Sequence, residues 1–233
     1  MPATHTRRRI SKHELKTDAF TTAIFAAREW AEANLRMVVM VVVGTVALIA
    51  AVWGFSSYLS RQELAAQRLY GEAGVEIRSE NSTVAIALLR RLVDEHSGSH
   101  LAGPATLQMA QLQFQDRSFD EARLAYQAYL DDHGDDPRLV AASWAGLGAI
   151  EEQAGFPDQA VPKYQQAVDA DSEGFQAAEY LRRLIRAAIA SDDTTTALGA
   201  FETMESEFSD DLDNYPLAQQ MLIEHRFLHP GRL

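Results

Sequence analysis

The chain has 233 residues, carries a net charge of −12 and contains no cysteine, which excludes disulfide bonds. It also lacks a G-x-S-x-G motif, a Walker A motif, a glycine-rich dinucleotide loop and an H-E-x-x-H pair, so we predict no catalytic residues, no cofactor and no enzymatic activity. The charge is distributed unevenly, because residues 1–36 carry +3 and the remainder therefore carries −15.

The basic segment 1–36 is predicted to be an arm on the cytoplasmic side of a membrane. Its triple Arg7-Arg8-Arg9 is typical of a nucleic-acid contact or of a topology determinant, and the acidic residues interspersed with it favour the second. Ser11 and Glu14 fit a capping box at the start of a helix that reaches Arg36. Its apolar residues share one face: Phe20, Ile24, Ala27, Ala31 and Leu35. An amphipathic interfacial helix and a solvated juxtamembrane helix both remain open.

Residues 37–60 form an uncharged apolar segment between Arg36 and Arg61. As a helix they would extend roughly 36 Å, which is enough to cross a hydrocarbon core of about 30 Å. A buried core helix of this length would usually carry some charge, and the apolar segment of a cleaved signal peptide is shorter. The pattern therefore predicts an uncleaved transmembrane signal anchor.

The charge asymmetry predicts the orientation of this anchor. Basic flanks stay in the cytoplasm, so the N-terminus is expected inside and the acidic segment 61–233 outside. In a bacterium with two membranes, this arrangement gives a single-pass inner-membrane protein with a periplasmic C-terminal domain.

A helical repeat is evident after the anchor. In residues 141–174 the repeat residues have the offsets of a tetratricopeptide repeat, W-x2-L-G followed by A-x3-F/Y-x2-A. These residues are Trp144, Leu147, Gly148, Ala160, Tyr164 and Ala167. The pattern recurs around Ala85, around Ala122 with Tyr126, and around Ala197 with Phe201.

The four key alanines, Ala85, Ala122, Ala160 and Ala197, are separated by 37, 38 and 37 residues. A small residue lets the two helices of a hairpin approach closely, and the aromatic residue four positions later packs against the next hairpin. One hairpin cannot bury its apolar face alone, whereas four stacked hairpins can. We therefore predict an all-α chain, in which residues 61–233 form one solenoid of four hairpins capped by a C-terminal helix at 214–227.

This sequence resembles the tetratricopeptide-repeat superfamily over residues 66–210. Its layout of basic arm, single anchor and acidic solenoid resembles the ancillary SecYEG translocon subunit family. The resemblance implies a membrane-anchored protein-binding scaffold that acts near the Sec channel, with translocon subunits, periplasmic chaperones or unfolded segments as partners. The alternative is a structural or assembly protein of the cell envelope, in division or outer-membrane biogenesis, that uses the same solenoid.

Repeat phase predicts which side chains face the groove of the solenoid. The predicted groove residues are Gln67, Tyr70, Gln111, Phe114, Glu152, Gln153, Arg182 and Arg186. Arg182 and Arg186 would hold a carboxylate of a partner. Glu179 offers the alternative, because it lies three residues from Arg182 and four from Arg183, and this spacing favours pairing on the helix surface.

Overall fold

The computed structural model describes the backbone of residues 12–225 and 227, and the side chains of this range apart from those of residues 12–21 and 23. Within that range the chain is helical and has no strand. Its helices are α1 Lys12–Ala33, α2 Leu35–Arg78, α3 Ser82–Glu95, α4 Ala102–Gln115, α5 Phe119–Asp132, α6 Pro137–Gln153, α7 Pro157–Ala170, α8 Ala177–Ala190, α9 Thr194–Glu207 and α10 Asn214–Glu224. The chain divides into two compact units, residues 1–60 and 61–233.

The first unit exposes its apolar side chains. Between Met37 and Leu59, the large apolar residues of α2 other than Val38 are at least half exposed, and Trp53 is 75% exposed. An 18-residue window of α2 has a mean hydropathy of 2.5, and no part of it is buried within the protein. Length and composition therefore suit a membrane span, although a signal sequence near an N-terminus meets the same two criteria. The predicted capping box at Ser11 and Glu14 lies outside the described side chains.

The second unit begins with the C-terminal part of α2. Gly71 and Gly74 do not interrupt this helix, which ends at Arg78. Its alanines at 66 and 73 are fully buried against α3 and α4, together with Leu69. The helix that contains the predicted span therefore also supplies the first helix of the repeat array.

Four helical hairpins follow one another, formed by α2 with α3, α4 with α5, α6 with α7 and α8 with α9. In each hairpin we call the two members the first and the second helix. Three hydrophobic clusters join the hairpins along the array. The key alanines, Ala85, Ala122, Ala160 and Ala197, are each 0% exposed, as the helix-to-helix approach requires.

The other predicted repeat-packing residues are also inside the array. The buried ones are Tyr126, Leu147, Gly148, Tyr164, Ala167 and Phe201. Trp144 differs, because it is half-buried and Lys163 covers its ring, with the ammonium nitrogen 4.8 Å from the ring centroid. A built Cβ at Gly148 would lie 2.9 Å from the ring of Tyr164, so the predicted close approach requires a glycine there.

The predicted C-terminal cap of the array is α10, which packs against α8 and α9. Ala218 and Leu222 are fully buried, and the ring of Tyr215 stacks on Phe201 with 5.6 Å between centroids. The helix ends at Glu224, three residues before the predicted end. The fold is thus an all-helical solenoid of tetratricopeptide type.

Candidate functional site

A pocket opens on the face formed by the first helices of the second, third and fourth hairpins. It has a volume of about 270 Å³ and lies between α4, α6 and the start of α8. The lining residues are Gln111, Phe114, Gln115, Tyr126, Ala142, Ala145, Gly146, Ala149, Gln176, Glu179, Tyr180 and Arg183. We call this the groove pocket.

The part of α6 that lines the groove pocket consists of small residues. Ala142, Ala145, Gly146 and Ala149 recur at three- and four-residue steps, so they form one smooth stripe. Gly146 has a specific packing role. A side chain at this position would overlap the ring of Tyr126 at Cζ, so glycine leaves the room that this ring occupies.

Tyr126 enters the groove pocket from α5, a second helix, through the gap at Gly146. It is 3% exposed, yet it lines the groove pocket. Burial raises the pKa of Tyr126 to about 12, and the positive charge of Arg183 opposes the rise. Its hydroxyl is therefore a neutral hydrogen-bond donor at physiological pH.

Tyr180 lies beside Arg183 in the same pocket. Burial raises the pKa of Tyr180 to about 12, and Arg183 again acts in the opposite direction. The Tyr180 hydroxyl donates to Oε1 of Gln176 over 2.9 Å. In contrast to that hydroxyl, the Tyr126 hydroxyl has no hydrogen bond to another residue in the described part of the chain.

Two of the three arginines of α8 share Glu179, and the third pairs with Glu152. Arg182 donates to both oxygens of Glu179, at 2.5–2.9 Å, and to Oδ1 of Asn214 at 3.0 Å. Arg186 donates from Nε and Nη2 to the two oxygens of Glu152, at 3.0 and 2.7 Å. Arg183 donates only its Nε, to Glu179 at 2.7 Å.

The structure thus places two of the predicted groove residues, Gln111 and Phe114, in the groove pocket. Arg182 and Arg186 carry intramolecular partners, and the pairing with Glu179 that the spacing favours is present. The guanidinium at the pocket is instead that of Arg183. Sequence reasoning about groove residues missed Arg183, Tyr126 and Tyr180.

The remaining predicted groove residues lie elsewhere. Tyr70 is partly buried against the first hydrophobic cluster, and Gln67 is exposed on the same helix. Gln153 is exposed at the end of α6. Glu152 accepts from Arg186 and, through a short hydrogen bond, from the Tyr164 hydroxyl, so it joins three helices rather than facing a free surface.

No group of three His, Cys, Asp or Glu side chains suited to a metal ion is found among the described residues. The two histidines of the α3–α4 connection instead contact α2. Nδ1 of His96 lies 2.5 Å from Oε1 of Gln62, and Nδ1 of His100 lies 2.9 Å from a carboxylate oxygen of Glu63.

Comparison with solved structures identifies the same architecture in other proteins. A tetratricopeptide repeat protein from Parabacteroides merdae ATCC 43184 aligns over 70% of this chain and 60% of its own, with 14% identity and a TM-score of 0.58. YrrB, described as a TPR protein with an unusual peptide-binding site, aligns over 74% of this chain and 84% of its own, with 15% identity and a TM-score of 0.53. At these identities the likeness shows the fold. Comparison with curated proteins gave no match.

Among protein families, the tetratricopeptide repeat-like domain matches residues 28–180, which is more than half of the chain. The match includes α4 and α6 and ends at residue 180, within the first turn of α8. The family match agrees with the four stacked hairpins and with the burial of the key alanines. The fold is that of a protein-binding scaffold. The chain belongs to the tetratricopeptide repeat-like domain family.

Proposed function

We propose that the protein is a membrane-tethered scaffold that holds a segment of a partner protein in the groove pocket. The observation that carries the proposal is the groove pocket itself, an open site with a smooth floor and aromatic walls in a fold whose members bind proteins. Its polar lining includes three side-chain amides, from Gln111, Gln115 and Gln176, which suit the peptide groups of an extended chain.

The proposed tether is the segment 37–60, whose side chains the protein leaves uncovered. With this anchor the N-terminal arm lies in the cytoplasm and the solenoid in the periplasm, at the inner membrane of a bacterium. Tethering raises the effective concentration of the groove pocket toward partners in the same membrane. The proposed partners are Sec translocon subunits, periplasmic chaperones or segments emerging from the channel, on the basis of the layout of the chain.

Topology can be measured with reporter fusions. A reporter that is active only in the periplasm should be active when fused after Leu233 and silent when fused before Ser11. The opposite result would mean that the acidic solenoid works in the cytoplasm, and the translocon proposal would then fail.

Partner binding can be tested with a photo-crosslinking amino acid introduced at one position at a time in living cells. We expect crosslinks from Gln111, which lines the groove pocket, to Sec channel subunits, chaperones or secreted chains. The matched control is Leu124, which is 71% exposed on α5 but lies outside that lining. Crosslinks from Leu124 and none from Gln111 would refute the use of the groove pocket. If the crosslinked products contain only envelope-assembly proteins, the role in envelope assembly replaces the role at the translocon.

A further inference from the structure

The first helix of the array has an uncovered side. The buried residues of its solenoid part, Ala66, Leu69 and Ala73, share one side of α2, and the opposite side is exposed. The exposed residues there recur at three- and four-residue steps and form one stripe: Leu64, Arg68, Gly71, Val75 and Arg78. We call this the α2 stripe. Both of its large apolar side chains are more than half exposed, and Gly71 has open space around its Cβ position.

The place of the α2 stripe in the repeat indicates that it is a packing surface. Leu64, Gly71 and Val75 lie 21, 14 and 10 residues before the key alanine of their hairpin. The third hairpin has similar residues at the same distances before its own key alanine: Leu139, Gly146 and Ile150. These residues pack α6 against the preceding hairpin, because the glycine admits the Tyr126 ring and the two apolar side chains join a hydrophobic cluster with residues of α5. α2 therefore keeps the surface that receives a preceding hairpin, although it is the first helix of the array.

The last helix of the array has an uncovered side as well. Ala218 and Leu222 of α10 are buried, and the side opposite to them is exposed. The exposed residues of α10 and its N-cap also recur at three- and four-residue steps: Asp213, Leu217, Gln220 and Glu224. We call this the α10 stripe. Its leucine is more than half exposed, so each end of the solenoid presents an apolar side chain to solvent.

The two stripes carry opposite charges. The α2 stripe has Arg68 and Arg78 and no acidic residue. The α10 stripe has Asp213 and Glu224 and no basic residue. None of these four side chains takes part in an ion pair within the described residues. The two arginines are ten residues apart and the two acids eleven, which corresponds to about 15 Å and about 17 Å along a helix. The charges of one stripe are thus spaced to meet those of the other, with an apolar residue of each stripe in between.

We propose that the α10 stripe of one copy of the protein docks on the α2 stripe of a second copy. Leu217 then packs beside Val75 and Gly71, where the missing side chain lets the two helices approach closely. The two arginines of the α2 stripe pair with the two acids of the α10 stripe. The contact lies at the ends of the solenoid and leaves the groove pocket open, so the inference goes beyond the proposed function and does not depend on it.

The charges favour this head-to-tail contact over a symmetric one. Two α2 stripes would bring arginines together, and two α10 stripes would bring carboxylates together, and like charges across an interface suppress association. Opposite charges on the two stripes instead steer one copy toward the other. Because the two stripes are different surfaces, every contact leaves one α2 stripe and one α10 stripe free, so that further copies can join in a row.

Disulfide crosslinking tests the contact directly, because the chain has no cysteine of its own. Membranes are prepared from cells that produce two full-length variants with different tags, Gly71→Cys and either Leu217→Cys or Gln220→Cys. Mild oxidation should give a product that contains both tags. Leu217→Cys should react faster if α2 and α10 are parallel, and Gln220→Cys should react faster if they are antiparallel. The control is Gly71→Cys with Leu124→Cys, because Leu124 is exposed on α5 outside both stripes and should give only background product.

Charge reversal tests the ion pairs of the contact. Arg68→Glu together with Arg78→Glu, in the chain with the cysteine in α2, should lower the yield at least about fivefold, because two attractions become repulsions. Asp213→Arg together with Glu224→Arg in the partner chain should restore the yield. Arg117→Glu is the control, because Arg117 is exposed in the turn of the second hairpin, and the yield should not change. A thermal melt in detergent should show that the variants remain folded.

A yield of the two-tag product no higher than that of the Leu124→Cys control would overturn the docking proposal. A product that links two Gly71→Cys chains in preference to the two-tag product would overturn it as well, because it would show a symmetric contact of two α2 stripes. A yield that survives the reversal of both arginines would overturn the charge pairing on which the proposal rests. The crosslinks expected from Gln111 are a separate measurement, because they report on the groove pocket.

Discussion

At the scale of single residues, the turns inside the four hairpins share one backbone feature. Glu80, Arg117, Gly155 and Asp192 all have positive φ, between 59° and 80°. Each lies five residues before a key alanine, so they recur with the same spacing as the repeat. In the second hairpin the Ser118 amide donates to the Gln113 carbonyl at 2.8 Å and the Arg117 amide donates to Phe114 at 3.0 Å, the Schellman pattern that ends many helices.

Glycine is the residue that adopts this conformation without strain, but only the third hairpin has it. We expect Arg117→Gly to stabilise the protein by about 0.5 kcal/mol, because relief of left-handed strain exceeds the added entropy of the unfolded chain. Arg117→Ala is the matched control, since it removes the same side chain and keeps the strain. Chemical unfolding of the full chain in detergent measures both, and an equal gain for Ala and Gly would show that the turn is unstrained.

Gly146 is a second position where one atom decides the packing. Gly146→Ala should destabilise the protein by about 1–2 kcal/mol, because the added methyl overlaps the Tyr126 ring and this cost exceeds the gain in helix propensity. Gly199→Ala is the control, because it also lies within a helix but has open space around its Cβ. We expect it to stabilise by about 0.5–1 kcal/mol. Thermal melts should therefore shift in opposite directions, and a shared direction would contradict the packing assigned to Tyr126.

At the scale of helices, α9 depends on an aspartate at its N-terminus. Asp193 accepts from the Thr196 amide at 3.1 Å and from the Thr196 hydroxyl at 2.7 Å. The hydrogen bond from the Thr196 hydroxyl is the main reason why the pKa of Asp193 lies below its ordinary value. The hydrogen bond from the Thr196 amide lowers this pKa further. A group whose pKa is lower in the folded state stabilises the fold above its unfolded pKa of about 3.9 and loses that contribution as the pH falls through its folded pKa.

We therefore expect Asp193→Ala to cost about 1 kcal/mol at pH 7, from the loss of the cap. The difference from the parent should shrink as the pH falls below about 4, where the parent also loses the charge of the cap. Asp193→Asn keeps an accepting oxygen and is the comparison variant, with a smaller cost at pH 7. Denaturant unfolding at several pH values measures these differences, and a cost for Asp193→Ala that stays constant down to pH 2 would contradict the role of the carboxylate.

The helices themselves follow from the sequence to a large extent. Alanines such as Ala122 and Ala160 recur because each hairpin needs one small residue at its crossing, and this requirement leaves a period that a single sequence reveals. Two of the four left-handed turn residues leave no such mark, because Glu80 and Arg117 are not residues associated with positive φ. Both turns contain the same helix-ending backbone hydrogen bond, in which Asn81 donates to Glu76 as Ser118 donates to Gln113.

The residues that repeat phase assigns to the groove and those that line the groove pocket overlap in part, for a geometric reason. Gln111 and Phe114 belong to both sets because they lie on a first helix. Tyr126 belongs to a second helix and reaches the groove pocket only because Gly146 lacks a side chain, which no periodic pattern encodes. Sequence reasoning did not choose among the three arginines of α8, because two of the contacts that distinguish them, Arg182 with Asn214 and Arg186 with Glu152, join residues that are distant in sequence.

At the scale of the whole molecule, two adjacent carboxylates join three hairpins. Glu151 pairs with Arg123 of the preceding hairpin, and Glu152 pairs with Arg186 of the following one. A solenoid behaves as a row of units, in which stability is approximately the sum of the hairpins and of the interfaces between neighbours. The Glu152 contacts are therefore expected to control whether the fourth hairpin, with α10, opens separately from the rest.

Glu152→Ala tests this coupling because it removes the acceptor of both Arg186 and Tyr164. We expect the local stability of α8 to α10 to fall by about 1–3 kcal/mol, since two donors lose a partner at an interface where the Glu152 side chain is only 17% exposed. Hydrogen exchange measured by mass spectrometry should then be at least about fivefold faster in these helices and unchanged in α3 to α5. Gln153→Ala, at the exposed neighbouring position, should leave both regions unchanged. An equal acceleration in every hairpin would instead show that the array unfolds as one unit, because loss of a single interface would then lower the free energy of unfolding of the whole solenoid.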